Sequence, residues 1–168
     1  QLYEWSVMTT TGDPVQSSAG LTVLADKALH NALPLDMIFV CGGINVQNHV
    51  EKSTLFWLKS LDKSRVSMGA ICTGTYLLAK AGLLDKHRCT IHWENMASMR
   101  EEFPNVIVSS ELFEIDNNRY TCAGGTATLD LMLNIIQRQH STELAAAISE
   151  EFILERIRDQ NDRQRIPL

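Results

Sequence analysis

Short apolar runs alternate along this chain with stretches whose apolar residues recur at helical spacing. Runs rich in β-branched and aromatic residues and bounded by turn formers read as strands, clearest at Trp5–Thr9, Met37–Cys41, Val66–Ile71 and Arg119–Cys122. Weaker candidates are Leu21–Leu24, Arg88–Ile91, Val106–Ser109 and Leu112–Ile115. Helical periodicity is best over Thr54–Leu61, Thr75–Ala81, Glu94–Phe103, Thr126–Gln139 and Thr142–Arg158. Asp116-Asn117-Asn118 reads as a hairpin turn because Asn tolerates positive φ, and Pro104 stops the helix before it. Strands alternating with helices predict an α/β fold, a mostly parallel sheet covered by helices on both faces. There is no repeat or low-complexity tract. The polar tail Asp159–Arg165 reads as the start of a connection, so residues 1–158 are expected to form one domain and 159–168 a linker. The chain starts at Gln1, close to an apparent strand and without an initiator Met, so it is expected to be a fragment of something longer.

Aligning the strands by their ends brings out the chemistry. Cys41 precedes Gly42-Gly43, Cys72 precedes Thr73-Gly74, and Cys122 precedes Ala123-Gly124-Gly125. Each cysteine closes an apolar run and opens a glycine-containing turn. In open α/β sheets ligands bind beyond the carboxyl ends of strands, where glycine lets the backbone come close. For Cys122 a tight turn alone explains the pattern. Ala70-x-Cys72-x-Gly74 lies between a strand and a helix, with small residues two places to either side of the thiol. That is the pattern of a nucleophile elbow, in which a strained residue is projected from a sharp turn. The positive end of the following helix is expected to favour the thiolate. His92 ends the short strand before Trp93-Glu94-Asn95 and is the natural partner for the thiol. Gly42, Gly43 and Ile44 could offer backbone N–H groups to an oxyanion or carboxylate.

Composition narrows the options. With 168 residues, 45% hydrophobic and 21% charged, the chain can bury a proper core. A formal net charge of −5 argues against this piece holding nucleic acid itself. The four cysteines form no Cys-x-x-Cys pair, so no metal is expected. No signal peptide or membrane-length apolar run is evident, which leaves a cytoplasm with reduced thiols as the expected compartment.

Cys41-Gly42-Gly43, Gly69-Ala70-Ile71-Cys72-Thr73-Gly74, Thr90-Ile91-His92 and Ala123-Gly124-Gly125-Thr126 together resemble the class I glutamine amidotransferase/PfpI superfamily. Leu77 through Leu84 and Cys89-Thr90-Ile91-His92-Trp93-Glu94-Asn95 are similar, more narrowly, to the sensor domain of AraC-type transcriptional regulators. The resemblance covers Trp5 to about Arg158. It implies a flavodoxin-like three-layer fold, with the superfamily's first strand and helix missing upstream. It also implies an effector site at the elbow, no cofactor, a homodimer, and DNA contacts only through an absent C-terminal helix-turn-helix domain. Several relatives look like sensors of amino acids or of quaternary amines of the betaine and carnitine kind. The expected ligand-binding residues are Gly43, Ile44, Cys72, Thr73, His92, Trp93 and Glu94. Trp93 would offer an aromatic face to a cation, though it also suits core packing, and Glu94 suits a helix's first turn as well. The alternative is a cysteine hydrolase or glyoxalase-like enzyme using Cys72 and His92.

The charge balance gives the first prediction. In a mobility-shift assay at near-physiological salt this polypeptide alone should retard no DNA from its own promoter. Tight, salt-sensitive retardation would contradict that expectation.

Overall fold

The computed structural model describes residues 2–32 and 34–165. Its elements run β1 (Met8–Thr9), β2 (Val15–Gln16), β3 (Thr22–Val23), β4 (Lys27–Ala28), β5 (Met37–Cys41) and α1 (Lys52–Lys63). There follow β6 (Ser67–Ile71), α2 (Thr75–Lys80), β7 (Arg88–Cys89), α3 (Met96–Glu102) and β8 (Ile107–Val108). The chain continues through β9 (Phe113–Asp116), β10 (Arg119–Cys122), α4 (Ala127–Gln139) and α5 (Thr142–Glu151). The main sheet has the order β5-β6-β10-β9. Strands β5, β6 and β10 are parallel, and β9 returns antiparallel through the expected hairpin, with Asn117 at a φ of 55°.

Side chains alternate across this sheet as strand geometry requires. Ile38, Val40, Met68 and Ala70 join Leu58, Leu77, Leu78, Met96 and Met99 in the core that lies beneath α1, α2 and α3. Met37, Phe39 and Ile71 face the other way, into a second cluster with Phe113 of β9 and Leu131 and Ile135 of α4. Gly69 in β6 lies opposite Phe39 in β5, and its missing side chain is the space the Phe39 ring fills. The helices therefore cover both faces of a mostly parallel sheet, giving the α/β, flavodoxin-like three-layer fold.

Several boundaries depart from the sequence reading. The last helix stops at Glu151, not Arg158. Ile153 takes a φ of 54° and donates its N–H to the Glu150 carbonyl, while the Leu154 N–H reaches back to the Ser149 carbonyl. These two bonds form the left-handed helix stop that glycine usually provides, and with Ile in that place the periodicity carried no stop signal. The strand expected at Trp5–Thr9 shrinks to Met8–Thr9, which pairs in parallel with β4. β5 is an edge strand of the main sheet among the described residues. Strands β2 and β4 were not anticipated, because two residues carry no period.

Gly74 is held more tightly than the other glycines. A Cβ there would overlap the Val40 carbonyl, whereas one on Gly82 would meet nothing within 4 Å and suffer only its φ of 69°. In urea unfolding, Gly74→Ala should cost roughly 3 kcal/mol or more through overpacking against backbone. Gly82→Ala should cost only about 1–2 kcal/mol through its left-handed backbone. Equal losses would contradict this packing.

Candidate functional site

Ile71 ends β6 in extended conformation, with φ −115° and ψ 129°. Cys72 then swings to a φ of 58°, and a tight turn over Cys72–Gly74 leads into α2. A non-glycine residue in this region is strained, by roughly 1–3 kcal/mol, and persists only where its surroundings fix it. Here the surroundings are three glycines. A Cβ on Gly124 would lie 2.7 Å from the Cys72 Cβ and 3.0 Å from its Sγ. A Cβ on Gly42 would collide with the Thr73–Gly74 backbone, and one on Gly74 with Val40. The Thr73 hydroxyl donates to the Gly43 carbonyl at 2.6 Å and fixes the turn after β5 against the elbow. The three cysteine–glycine turns are one packed unit.

His92 reaches the same place through a buried threonine network. The Thr90 N–H donates to Thr121 Oγ1 at 2.9 Å, its carbonyl accepts from Thr75 Oγ1 at 2.9 Å, and its hydroxyl donates to the Glu111 carbonyl at 2.8 Å. Thr75, Thr90 and Thr121 are all fully buried. They tie the residue two before His92 to the elbow helix and to β10. No sequence signal singled them out, since each reads locally as an ordinary strand or helix residue.

Gly43, Ile44, Cys72, Thr73, His92 and Glu94 line one cavity of about 480 Å³. Trp93 does not. It lines a smaller cavity of about 190 Å³, together with Gly124, Gly125, Thr126, Gln164 and Arg165. His92 borders both, with its ring 5.6 Å from that of Trp93. Ser18, Asn45, Gln47 and Asn95 also line the larger cavity and escaped the sequence reading. Asn45 could have been suspected, because it holds a φ of 57° and Asn favours that region. Ser18 could not, since it arrives from the β2–β3 ribbon to lie over Gly43.

The Gly42 N–H is used within the fold, donating to the Ile71 carbonyl, while those of Gly43 and Ile44 have no acceptor among the described residues. Glu94 stands with its side chain 63% exposed and an oxygen 3.6 Å from His92 Nδ1, too long for a hydrogen bond. Burial pushes the Cys72 thiol above its usual range, and nearby Cys122 and Glu94 add to the rise; the Thr73 backbone N–H opposes them and loses. The thiolate expected from the helix end is therefore not favoured. The six-residue α2 offers little dipole against the desolvation of the thiol. Among the described residues no cluster of His, Cys, Asp or Glu could hold a metal ion.

A model of the DJ-1/PfpI family matches residues 3–138. The chain belongs to that family. It is 46% identical over 168 residues to the HTH-type transcriptional regulator GbdR of Pseudomonas aeruginosa, covering 100% of this chain and 46% of that protein. The HTH-type transcriptional regulator CdhR of the same organism is 44% identical over 165 residues, covering 98% of this chain and 49% of CdhR. The chain thus spans about half the length of the curated relatives it matches. A solved structure of an AraC family transcriptional regulator from Pseudomonas putida superposes with a TM-score of 0.82 at 27% identity, covering 90% of this chain and 82% of that one. A more distant relative, the isonitrile hydratase of Pseudomonas putida, is 30% identical over 138 residues, covering 80% of this chain and 59% of the enzyme. Kinship to regulators runs the whole length of this DJ-1/PfpI chain, and no described helix is long and apolar enough to cross a membrane.

The thiol's environment can be measured. Alkylation of Cys72 by iodoacetamide, followed by peptide mass spectrometry across pH, should show an inflection above the ordinary cysteine value of about 8.5. A rate already at its plateau at neutral pH would mean a thiolate and contradict the burial.

Proposed function

We propose that this chain is the effector-sensing domain of an AraC-type transcriptional regulator. It holds a small amino acid or a betaine- or carnitine-like quaternary amine in the Cys72 cavity and leaves it unchanged. The observation that carries this reading is that one cavity is lined both by residues with unspent backbone N–H groups and by a carboxylate. Unspent N–H groups at Gly43 and Ile44 suit a carboxylate, and the Glu94 carboxylate suits an amine or quaternary cation. A zwitterion satisfies both kinds of group at once, and a thiol whose burial disfavours the thiolate is a poor nucleophile. Whole-length similarity to named regulators supports the same reading. DNA is then bound through a helix-turn-helix domain outside this chain, by a cytoplasmic homodimer whose two copies meet paired half-sites. No cofactor is needed.

A cysteine-dependent hydrolase or glyoxalase-like activity is the second reading. It is favoured by Cys72 and His92 lining one cavity and by the kinship to an isonitrile hydratase. It requires consumption of the bound compound, which the first reading forbids.

A thermal-shift screen of betaine, carnitine, dimethylglycine, choline and the common amino acids should return at least one clear stabiliser. Ligand at a hundredfold excess over its dissociation constant adds about 2.7 kcal/mol to the folded state. Glu94→Gln should weaken the hit at least about tenfold, the loss of one charge-assisted contact, while Trp93→Ala should change it far less. No stabiliser at all, or a hit that ignores Glu94 and needs Trp93, would overturn this reading.

A further inference from the structure

After α5 the chain turns back across the domain and docks beside the cleft. The Arg158 guanidinium forks onto Asp130, at 2.9 and 2.5 Å to Oδ2, and reaches Thr126 Oγ1 at 2.7 Å. Asp130 is 3% exposed, so freeing Arg158 would strand a buried carboxylate; this end is a firm anchor. Arg156 forks onto Asp162 and shapes the turn between them. Beyond it the segment pairs with the chain before β9. The Leu112 N–H donates to the Asp162 carbonyl at 2.8 Å, and the Gln164 N–H to the Ser110 carbonyl at 2.9 Å.

The far end is held differently. The Arg163 guanidinium lies 3.8 Å from the Glu111 carboxylate and is 76% exposed, a pairing worth little. The other Glu111 oxygen is buried with no partner. What seats this end is the Gln164 side-chain amide, whose two N–H groups are shared among the Ile91 carbonyl at 3.0 Å, Thr90 Oγ1 at 3.0 Å and the Glu111 carbonyl at 3.2 Å. Ile91 immediately precedes His92, and Thr90 is bonded to Thr75 at the start of the elbow helix. Gln164 and Arg165 also wall the smaller cavity that His92 shares with the Cys72 cleft.

We propose that residues 156–165 form a latched strap, hinged at the Arg158–Asp130 anchor, whose Gln164 latch is coupled to the state of the Cys72–His92 cleft. The coupling needs no large movement. A group that shifts His92 shifts the Ile91 carbonyl, and the amide that shares two N–H groups among three acceptors loses its fit. Only a difference in strap energy between the filled and empty cleft can transmit such a signal, and a latch with one firm and one weak end supplies it. The strap would then report cleft occupancy to whatever polypeptide follows it. This inference rests on the cleft being the effector site, but its test does not need the effector.

The probe is iodoacetamide, which places a carbamidomethyl group on Cys72 inside the cleft, used in a Cys41→Ser background at alkaline pH. Hydrogen exchange of the Leu112 and Gln164 amides, which the strap protects, is compared before and after modification. Exchange should change at least about threefold, with α1 amides unaltered as a control for local opening. In Gln164→Ala those two amides should exchange fast and no longer respond to the modification. Arg158→Ala, which frees the strap at its anchor, should abolish the response as well. Equal strap exchange with and without the carbamidomethyl group overturns the proposal, and so does a response that survives Gln164→Ala. A failed compound screen with a responding strap would sink the choice of ligand and leave the latch standing; the reverse pattern would sink the latch alone.

Discussion

Everything at the carboxyl end of this sheet depends on one backbone constraint, the left-handed conformation of Cys72. A cysteine gains nothing intrinsic at positive φ, so the neighbouring turns must hold it there. They do so by backbone approach: Gly124 lies against the cysteine itself, Gly42 against Thr73–Gly74, and Gly74 against the Val40 carbonyl. Side chains at these places would push β5, β6 and β10 apart where they must converge. The same closeness brings the Gly43 carbonyl to the Thr73 hydroxyl and sets Gly43 and Ile44 in the lining of the cleft. Strain at the elbow and shape of the cavity are one packing problem.

That packing has an electrostatic consequence. Squeezing the elbow between three turns removes water from the thiol, and desolvation outweighs the one backbone N–H that favours the anion. Burial thus works against the thiolate that makes a nucleophile elbow reactive. Other polar groups line the cavity, the exposed Glu94 carboxylate near His92 and the Gly43 and Ile44 N–H groups, which have no acceptor among the described residues. On the proposed function, these groups would hold a small charged molecule by recognition at both ends.

The sequence made the elbow legible because its signal is local: an apolar run, small residues two places either side of Cys72, and a helical period resuming at Thr75. His92 was legible for the same reason, as a strand-end residue. What stayed hidden depends on pairs far apart in the chain. Thr75, Thr90 and Thr121 look ordinary singly and act only as a bonded set. Trp93 adjoins His92 in sequence yet lines the other cavity, because the turn over Trp93–Asn95 sends successive side chains to different sides. The helix end at Ile153 was missed because a β-branched residue occupies a position that usually announces itself with glycine. The polar tail Asp159–Arg165, which by composition alone reads as a linker, lies docked through Asp162 and Gln164, and composition does not foretell a seat.

The central claim is that the elbow cavity binds and does not react. Its most direct test is to incubate the best stabilising compound with a slight excess of the protein and follow it by proton NMR for many hours. The compound should show bound-state broadening, return unchanged on denaturing the protein, and behave the same with Cys72→Ser. Conversion to a new species by the wild type, halted in Cys72→Ser, would contradict the claim and make this DJ-1/PfpI domain an enzyme.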